Sequence, residues 1–201
     1  MPFVDELPSI VGWLEAEPAF MTRTAHAVAV DGRVWVLDPF DHEGAEERVR
    51  ALGEPAGVVQ LLDRHSRDCA GWAARLGVPH HVVPAAVPGA PFTVVSVPAM
   101  PGWREVALWF PGSRTLACAD ALAAAPGYRA PGERVAVHPL LRLRPPRALG
   151  ALAPEHLLLG HGAGLHGQEA ADAVAQALAT ARRGLPAFLA GAVRRAVGRT
   201  P

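Results

Sequence analysis

The chain has 201 residues, half of them hydrophobic, with 19 basic and 19 acidic side chains and a formal net charge of zero. A chain of this length buries roughly 70% of its unfolded surface, so its core needs no disulfide or structural metal. The balanced charge gives no electrostatic reason to expect nucleic acid, an anionic membrane or a polyanionic partner, and the complete absence of Lys excludes a Schiff-base or phosphate-loop lysine.

From the amino end, Met1 to about residue 21 reads as a cap or edge segment, with Trp13 and Leu14 ahead of Pro18. Thr22 to Val30 alternates polar and apolar residues. Asp31-Gly32 and Val34 to Leu37 follow, which predicts a β-hairpin closed by an Asp-Gly turn. Glu43 to Leu52 has helical spacing and stops at Gly53. Gly57 to Leu62 is a short continuous apolar run, the pattern of a strand buried on both faces. A polar loop then leads to a helix over about 68–76, ended by Gly77, and to a short strand over 79–83.

The second half repeats this pattern. Strands are predicted over 91–97, 105–110 and 114–118, the last two joined by Pro111-Gly112-Ser113. Residues 129–144 are rich in Pro and Arg and predict a loop with short pieces, and 146–152 a short helix. A strand over 155–159 ends in Gly160-His161-Gly162. Helices follow over 168–183 and 185–197, the latter with Arg194, Arg195 and Arg199 near its positive-charge-preferring end. Two groups of strands, each with hairpins and each followed by helices, point to a single α/β domain built as a four-layer αββα sandwich.

Two cysteines, Cys69 and Cys118, are too few for a secreted disulfide framework. The acidic amino end does not resemble a signal peptide, and no apolar run approaches the ~18 residues of a membrane span. The expectation is a cytoplasmic protein with reduced thiols, free of membrane and nucleic acid. Its ligand would be a small molecule, and homodimers could form through Trp109 or the helix over 185–201.

Chemistry-bearing side chains collect at three predicted strand ends: the loop from Asp63 to Cys69, Asp120, and His161 between glycines. Layered α/β folds place their sites at such ends. The order of these segments resembles the metallo-β-lactamase superfamily. Val36-Leu37-Asp38-Pro39 is similar to the family's hairpin end. Asp63-Arg64-His65-Ser66-Arg67-Asp68-Cys69-Ala70-Gly71 takes the place of Thr-His-x-His-x-Asp-His-x-Gly, and Pro98 to Gly102 that of a later Pro-Gly-His segment. Ala119-Asp120 resembles Gly-Asp, and Gly160-His161-Gly162 the terminal Gly-His-Gly.

The resemblance implies the αββα fold and a two-metal hydrolase ancestry. It also places Arg64, Ser66 and Met100 where three histidines would hold one metal. A guanidinium offers no lone pair, Ser is a poor ligand and a thioether is too soft for hydrolytic zinc. His65 falls one position off and is expected to point away. For the second metal the resemblance implies Asp68, Cys69, Asp120 and His161, with Asp120 orienting water and Arg64 free to fill the vacated space beside it. His166 is placed near the same cleft. Each residue also has a purely structural reading: a helix cap for Asp68, a buried thiol for Cys69, an ion pair with Arg64 for Asp120, and a hydrogen-bonded loop residue for His161. Three functions stay open: a non-hydrolytic protein with a remnant cleft, a hydrolase of a thioester, lactam or phosphodiester using one divalent metal (zinc foremost), and a binding or dimerisation module.

Overall fold

The computed structural model describes residues 2–16, 21–98 and 100–197. Arg199, Ala99 and residues 17–20 of the amino-terminal segment lie outside the described residues.

Sheet one is built from β1 (Phe3–Leu7), β2 (Ile10–Glu15), β3 (Arg23–Val30), β4 (Arg33–Leu37), β5 (Glu54–Gln60) and β6 (His80–Val82), hydrogen-bonded in that order. The first four are antiparallel neighbours, whereas β4, β5 and β6 run parallel. The parallel pairs need crossovers, supplied by α1 (Ala45–Leu52) and α2 (Cys69–Leu76). Sheet two has the order β13 (Leu165–His166), β12 (His156–Leu159), β9 (Thr115–Cys118), β8 (Val106–Phe110) and β7 (Thr93–Ser96). Only its β9–β12 pair is parallel. A two-stranded ribbon, β10 (Leu122–Ala123) with β11 (Ala136–Val137), lies beyond β9. Helices α3 (Gln168–Thr180) and α4 (Leu185–Val197) close the chain.

Side-chain alternation along the strands of sheet one separates two cores. Val28, Trp35, Leu37 and Val59 face sheet two and join Leu108, Leu116 and Leu158 between the sheets. Ala27, Val34, Val36 and Val58 face the opposite way and pack with Val49 of α1 and Trp72 of α2. Ala170, Ala173, Val174 and Ala177 of α3 extend the first core on the outer side of sheet two. The layers are therefore helix, sheet, sheet, helix, the four-layer sandwich expected from the sequence.

The predicted strands and helices recur within a few residues. The amino-terminal segment goes further than an edge: β1 and β2 form a complete hairpin added to sheet one, with Trp13 fully buried against Trp72 at 5.3 Å between rings and its indole N–H donated to the Phe40 carbonyl at 2.9 Å. The two cysteines do not meet. Both are free, Cys69 in the helix-facing core and Cys118 in the inter-sheet core.

Candidate metal centre

Four strand ends meet at one rim of the sandwich. β4 ends at Asp38, β5 leads into the loop carrying His65 and Arg67, β9 leads to Asp120, and β12 leads to His161. The two sheets are stitched there by the amide of Thr24, which donates to the Gly160 carbonyl at 2.9 Å. The Thr24 hydroxyl also bridges both the carbonyl and the amide of Gly162 at 3.0 and 3.1 Å.

This crowding explains the glycines beside His161. A Cβ on Gly160 would stand 2.8 Å from the Ala119 carbonyl, and one on Gly162 would stand 3.0 Å from the Ala124 backbone, at a φ of +99° that disfavours other residues.

Among the described residues, one group of side chains has metal-ligand chemistry and converging donor atoms. It consists of His65, Asp120 and His161, all buried, with one ligand atom from each lying within 4.8 Å of the others. Asp120 Oδ1 stands 2.9 Å from His161 Nε2 and 3.2 Å from His65 Nε2. In a tetrahedral zinc site with bonds of about 2.0–2.1 Å, neighbouring ligand atoms are roughly 3.3 Å apart.

The far side of each imidazole fixes its proton. His65 Nδ1 faces Asp38 Oδ2 at 2.7 Å, while Asp38 Oδ1 takes the Leu61 amide at 2.8 Å. His161 Nδ1 faces the carbonyls of Met21 and Thr22 at 2.6 and 3.0 Å. Both partners are acceptors, so each Nδ1 carries the hydrogen, and a neutral ring would turn its Nε2 lone pair toward Asp120. Asp120 Oδ1 is buried without a hydrogen bond of acceptable angle, despite the two close nitrogens. Two lone pairs converging on an anionic oxygen need a cation between them, either a metal ion or an added proton. Ligating histidines are typically held in this way by an outer carboxylate or carbonyl.

The electrostatics agree with that need. Burial alone would raise the Asp120 carboxyl, but His161 and His65 outweigh it and hold the acid well below the usual carboxylate range. Burial and the Arg67 charge work against a proton on His65, yet Asp38 and Asp120 prevail and its pKa is raised. Beneath the site, Glu105 is buried and clamps the Asp120 loop. Its Oε1 accepts the amides of Asp120 and Ala121 at 2.9 and 2.8 Å, and its Oε2 accepts the Trp103 indole at 3.0 Å.

A cavity of about 330 Å³ opens above His65, Asp120 and His161, walled by Met21, Arg23, Arg64, Arg67 and Tyr128. Aromatic rings run along one side: Tyr128 lies 5.1 Å from His161 and 5.2 Å from His138, which lies 4.5 Å from Trp103. Burial, with the charges of Asp120 and Glu105, pushes the Tyr128 phenol up, so it keeps its proton as a donor.

Of the residues expected from the sequence, Asp120 and His161 are brought together. Asp68 and Cys69 are not in the group. Asp68 is exposed, makes no cap bond to its helix, and accepts the Asp41 amide at 2.7 Å. The Cys69 thiol is buried 3.4 Å from the His65 carbonyl, and burial pushes its pKa up. Arg64 lines the cavity but lies over the Trp103 ring at 4.4 Å, with Asp63 rather than Asp120 as its nearest acid. Ser66 is exposed, Met100 packs against the core, and His166 faces Asp5 and His156 instead of the cavity.

The expectation for His65 is corrected. Strand alternation does not govern it, because its amide closes a turn onto the Leu62 carbonyl at 2.9 Å and the ring swings inward. The cation drawn into the backbone at this rim is Arg67, half-buried, and not Arg64. Arg67 adopts a left-handed φ of +38° and donates to the carbonyls of Thr24, Asp38 and Gly160 at 2.7, 2.9 and 3.1 Å.

No family model and no curated protein matches the sequence. Solved structures do share its fold. The metallo-β-lactamase DIM-1, exposed to ceftazidime, superposes with a TM-score of 0.63 at 13% identity over 90% of this chain and 97% of that one. The TMB-1 structure gives 0.59 at 10% identity over 90% and 97%. A chemotaxis sensor, ODP, described as a peroxy diiron species, gives 0.53 at 13% identity over 89% and 94%. At these identities the likeness concerns architecture alone: the chain has a metallo-β-lactamase-like fold.

Proposed function

We propose that the chain is a hydrolase of the metallo-β-lactamase-like fold that works with one divalent metal, zinc foremost, held by His65, Asp120 and His161. The observation that carries this reading is the convergence of His65 Nε2 and His161 Nε2 on the buried Asp120 Oδ1 at 3.2 and 2.9 Å, with the Nδ1 of each ring committed to an acceptor behind it. Three protein ligands and an open side fit a catalytic rather than a closed structural site. A second metal has no support, because the positions that the family fills with histidine hold Arg64, Ser66 and Met100.

A divalent cation held by His65, Asp120 and His161 would supply Lewis acidity toward a carbonyl or phosphoryl oxygen and would acidify water. The protein does the rest. Asp38 and the carbonyls of Met21 and Thr22 fix the two rings. Glu105 fixes the backbone of Asp120. Tyr128 offers a protonated hydroxyl to negative charge developing in the cavity.

Elemental analysis of the protein incubated with zinc and desalted should find about one equivalent, falling to background in His161→Ala and His65→Ala. Zinc at about a hundredfold over its dissociation constant should stabilise the wild type by about 2.7 kcal/mol, which raises Tm by roughly 5–10 °C in a chain of this size. Hydrolysis of thioester, lactam and phosphodiester substrates should appear only with metal. No retained zinc and no change in Tm would sink the metal centre. Metal without turnover of any of the three would sink the hydrolase.

A second reading is favoured by the raised pKa of His65, which Asp38 and Asp120 bring about against the Arg67 charge. In it, a protonated His65 bridges Asp38 and Asp120, and the site is a charge-balanced, non-catalytic relic. That arrangement would bind no zinc and would show His65 protonated near neutral pH by NMR.

A further inference from the structure

Resting on the reading that a cation sits among His65, Asp120 and His161, we propose that the cavity takes a small molecule bearing an oxyanion, carboxylate or phosphoryl, gripped by Arg64 and Arg67.

Charge is the first support. Three arginines reach the cavity wall, against one carboxylate at its floor. Arg23 is neutralised at the rim by Glu15, with its Nε 2.6 Å away. Arg67 makes no ion pair with a carboxylate among the described residues. It spends three of its five N–H groups on carbonyls, and its charge is offset only through space, by Asp38 and Asp120. Arg64 is half exposed and its nearest acid is Asp63 at 3.7 Å, beyond hydrogen-bond reach. With a divalent cation on Asp120, the floor changes sign from negative to positive. Every charged group facing the ligand that lacks a partner is then positive.

Shape is the second support. Arg64 is laid on the Trp103 ring at 4.4 Å, which holds its guanidinium plane in place without consuming its donors. A planar fork of N–H groups matches the two oxygens of a carboxylate or phosphoryl group. Tyr128 adds a neutral hydroxyl donor on the same wall. A cavity of about 330 Å³ is at the small end of ligand sites, so the ligand has few atoms beyond its anionic group.

Arg67 ties three backbone segments together, so its removal would test folding; Arg64 is the better probe. Calorimetric titration of the zinc-loaded full chain with inorganic phosphate, and separately with acetate, at constant ionic strength should give saturable binding of at least one. Arg64→Ala should weaken that binding by about tenfold or more, whereas Arg33→Ala, an exposed arginine on β4, should leave it unchanged. Binding of acetate alone identifies a carboxylate ligand, and binding of phosphate alone a phosphoryl one. Binding of neither anion, or equal binding by Arg64→Ala and wild type, overturns the proposal. Zinc content measured on the same samples separates the two ideas: zinc retained without anion binding defeats only the anion site, and absent zinc defeats the metal reading itself.

Discussion

Asp38 stands behind His65 much as a carboxylate stands behind a metal-bound histidine: one oxygen on the ring, the other anchored by the Leu61 amide. It is fully buried and holds a left-handed φ of +46°, a conformation that Asp tolerates better than most residues. Asp38→Asn keeps the size and the backbone preference but removes a negative acceptor, so His65 loses its fixed tautomer. Zinc affinity should fall by about 10–100-fold with the fold intact, measured by competition with a chromophoric chelator and by circular dichroism. An unchanged affinity would mean that His65 is not a ligand.

At this scale the sequence was half legible. Asp120 and His161 could be found because each follows a strand and keeps a recognisable neighbour, Ala119 or Gly160. His65 and Arg67 could not be placed. They sit in a tight, irregular turn where no two-residue or 3.6-residue period fixes direction, and the left-handed φ of Arg67 leaves no mark on composition.

Among the elements, the β1–β2 hairpin is hydrogen-bonded to sheet two through Asp5, beside the apolar contacts of Leu7 and Ile10. Asp5 contacts His26 Nε2 at 2.9 Å and His166 Nε2 at 3.0 Å, and accepts the Gly164 amide at 3.0 Å. It is buried, and burial would raise its pKa, but the two histidines and the amide hold the carboxyl well below its usual range. Asp5→Asn suits the same left-handed φ of +53° but removes one of the two acceptor oxygens. Unfolding in urea should show a loss of about 1–3 kcal/mol, with hydrogen exchange accelerated first in Ile10–Glu15. Protection unchanged in that strand would show that the hairpin is held by its backbone pairing alone. The hairpin was not visible as a pair of strands, because Asp5, Glu6 and Glu15 interrupt its apolar pattern. The β3–β4 hairpin was visible, since Asp31-Gly32 names its turn directly. Two-residue strands such as β13 carry too few residues to show any period.

For the whole molecule, stability should depend on pH through Glu105. Burial raises this acid from its ordinary 4.5 to about 8, helped by the Asp120 charge and opposed by the Ala121 amide and the Trp103 indole. The folded chain therefore keeps a proton between those two values that the unfolded chain has released. Its contribution to stability is complete below pH 4.5 and is lost as pH rises toward 8. The slope cannot exceed about 1.4 kcal/mol per pH unit for one proton. Urea midpoints of chelator-treated wild type should decline from about pH 6 to about pH 8, and Glu105→Gln should flatten the decline. An equally steep decline in the variant would assign the effect to another group. The global architecture was legible from strand order and turn chemistry. A buried acid such as Glu105 was not, because a Glu opening a strand looks the same in sequence whether it meets water or two backbone amides.

The ring of His161 is gripped from behind by the carbonyls of Met21 and Thr22, and Gly164 in the same loop is held by Asp5. The beginning of the chain is thus scaffolding for a candidate metal ligand, more than a hundred and thirty positions away. Versions trimmed before β3, or carrying a bulky amino-terminal fusion that unseats the hairpin, would be crippled at the proposed metal site while His65, Asp120 and His161 all remained in the sequence, and their silence would say nothing about the chemistry of the intact protein.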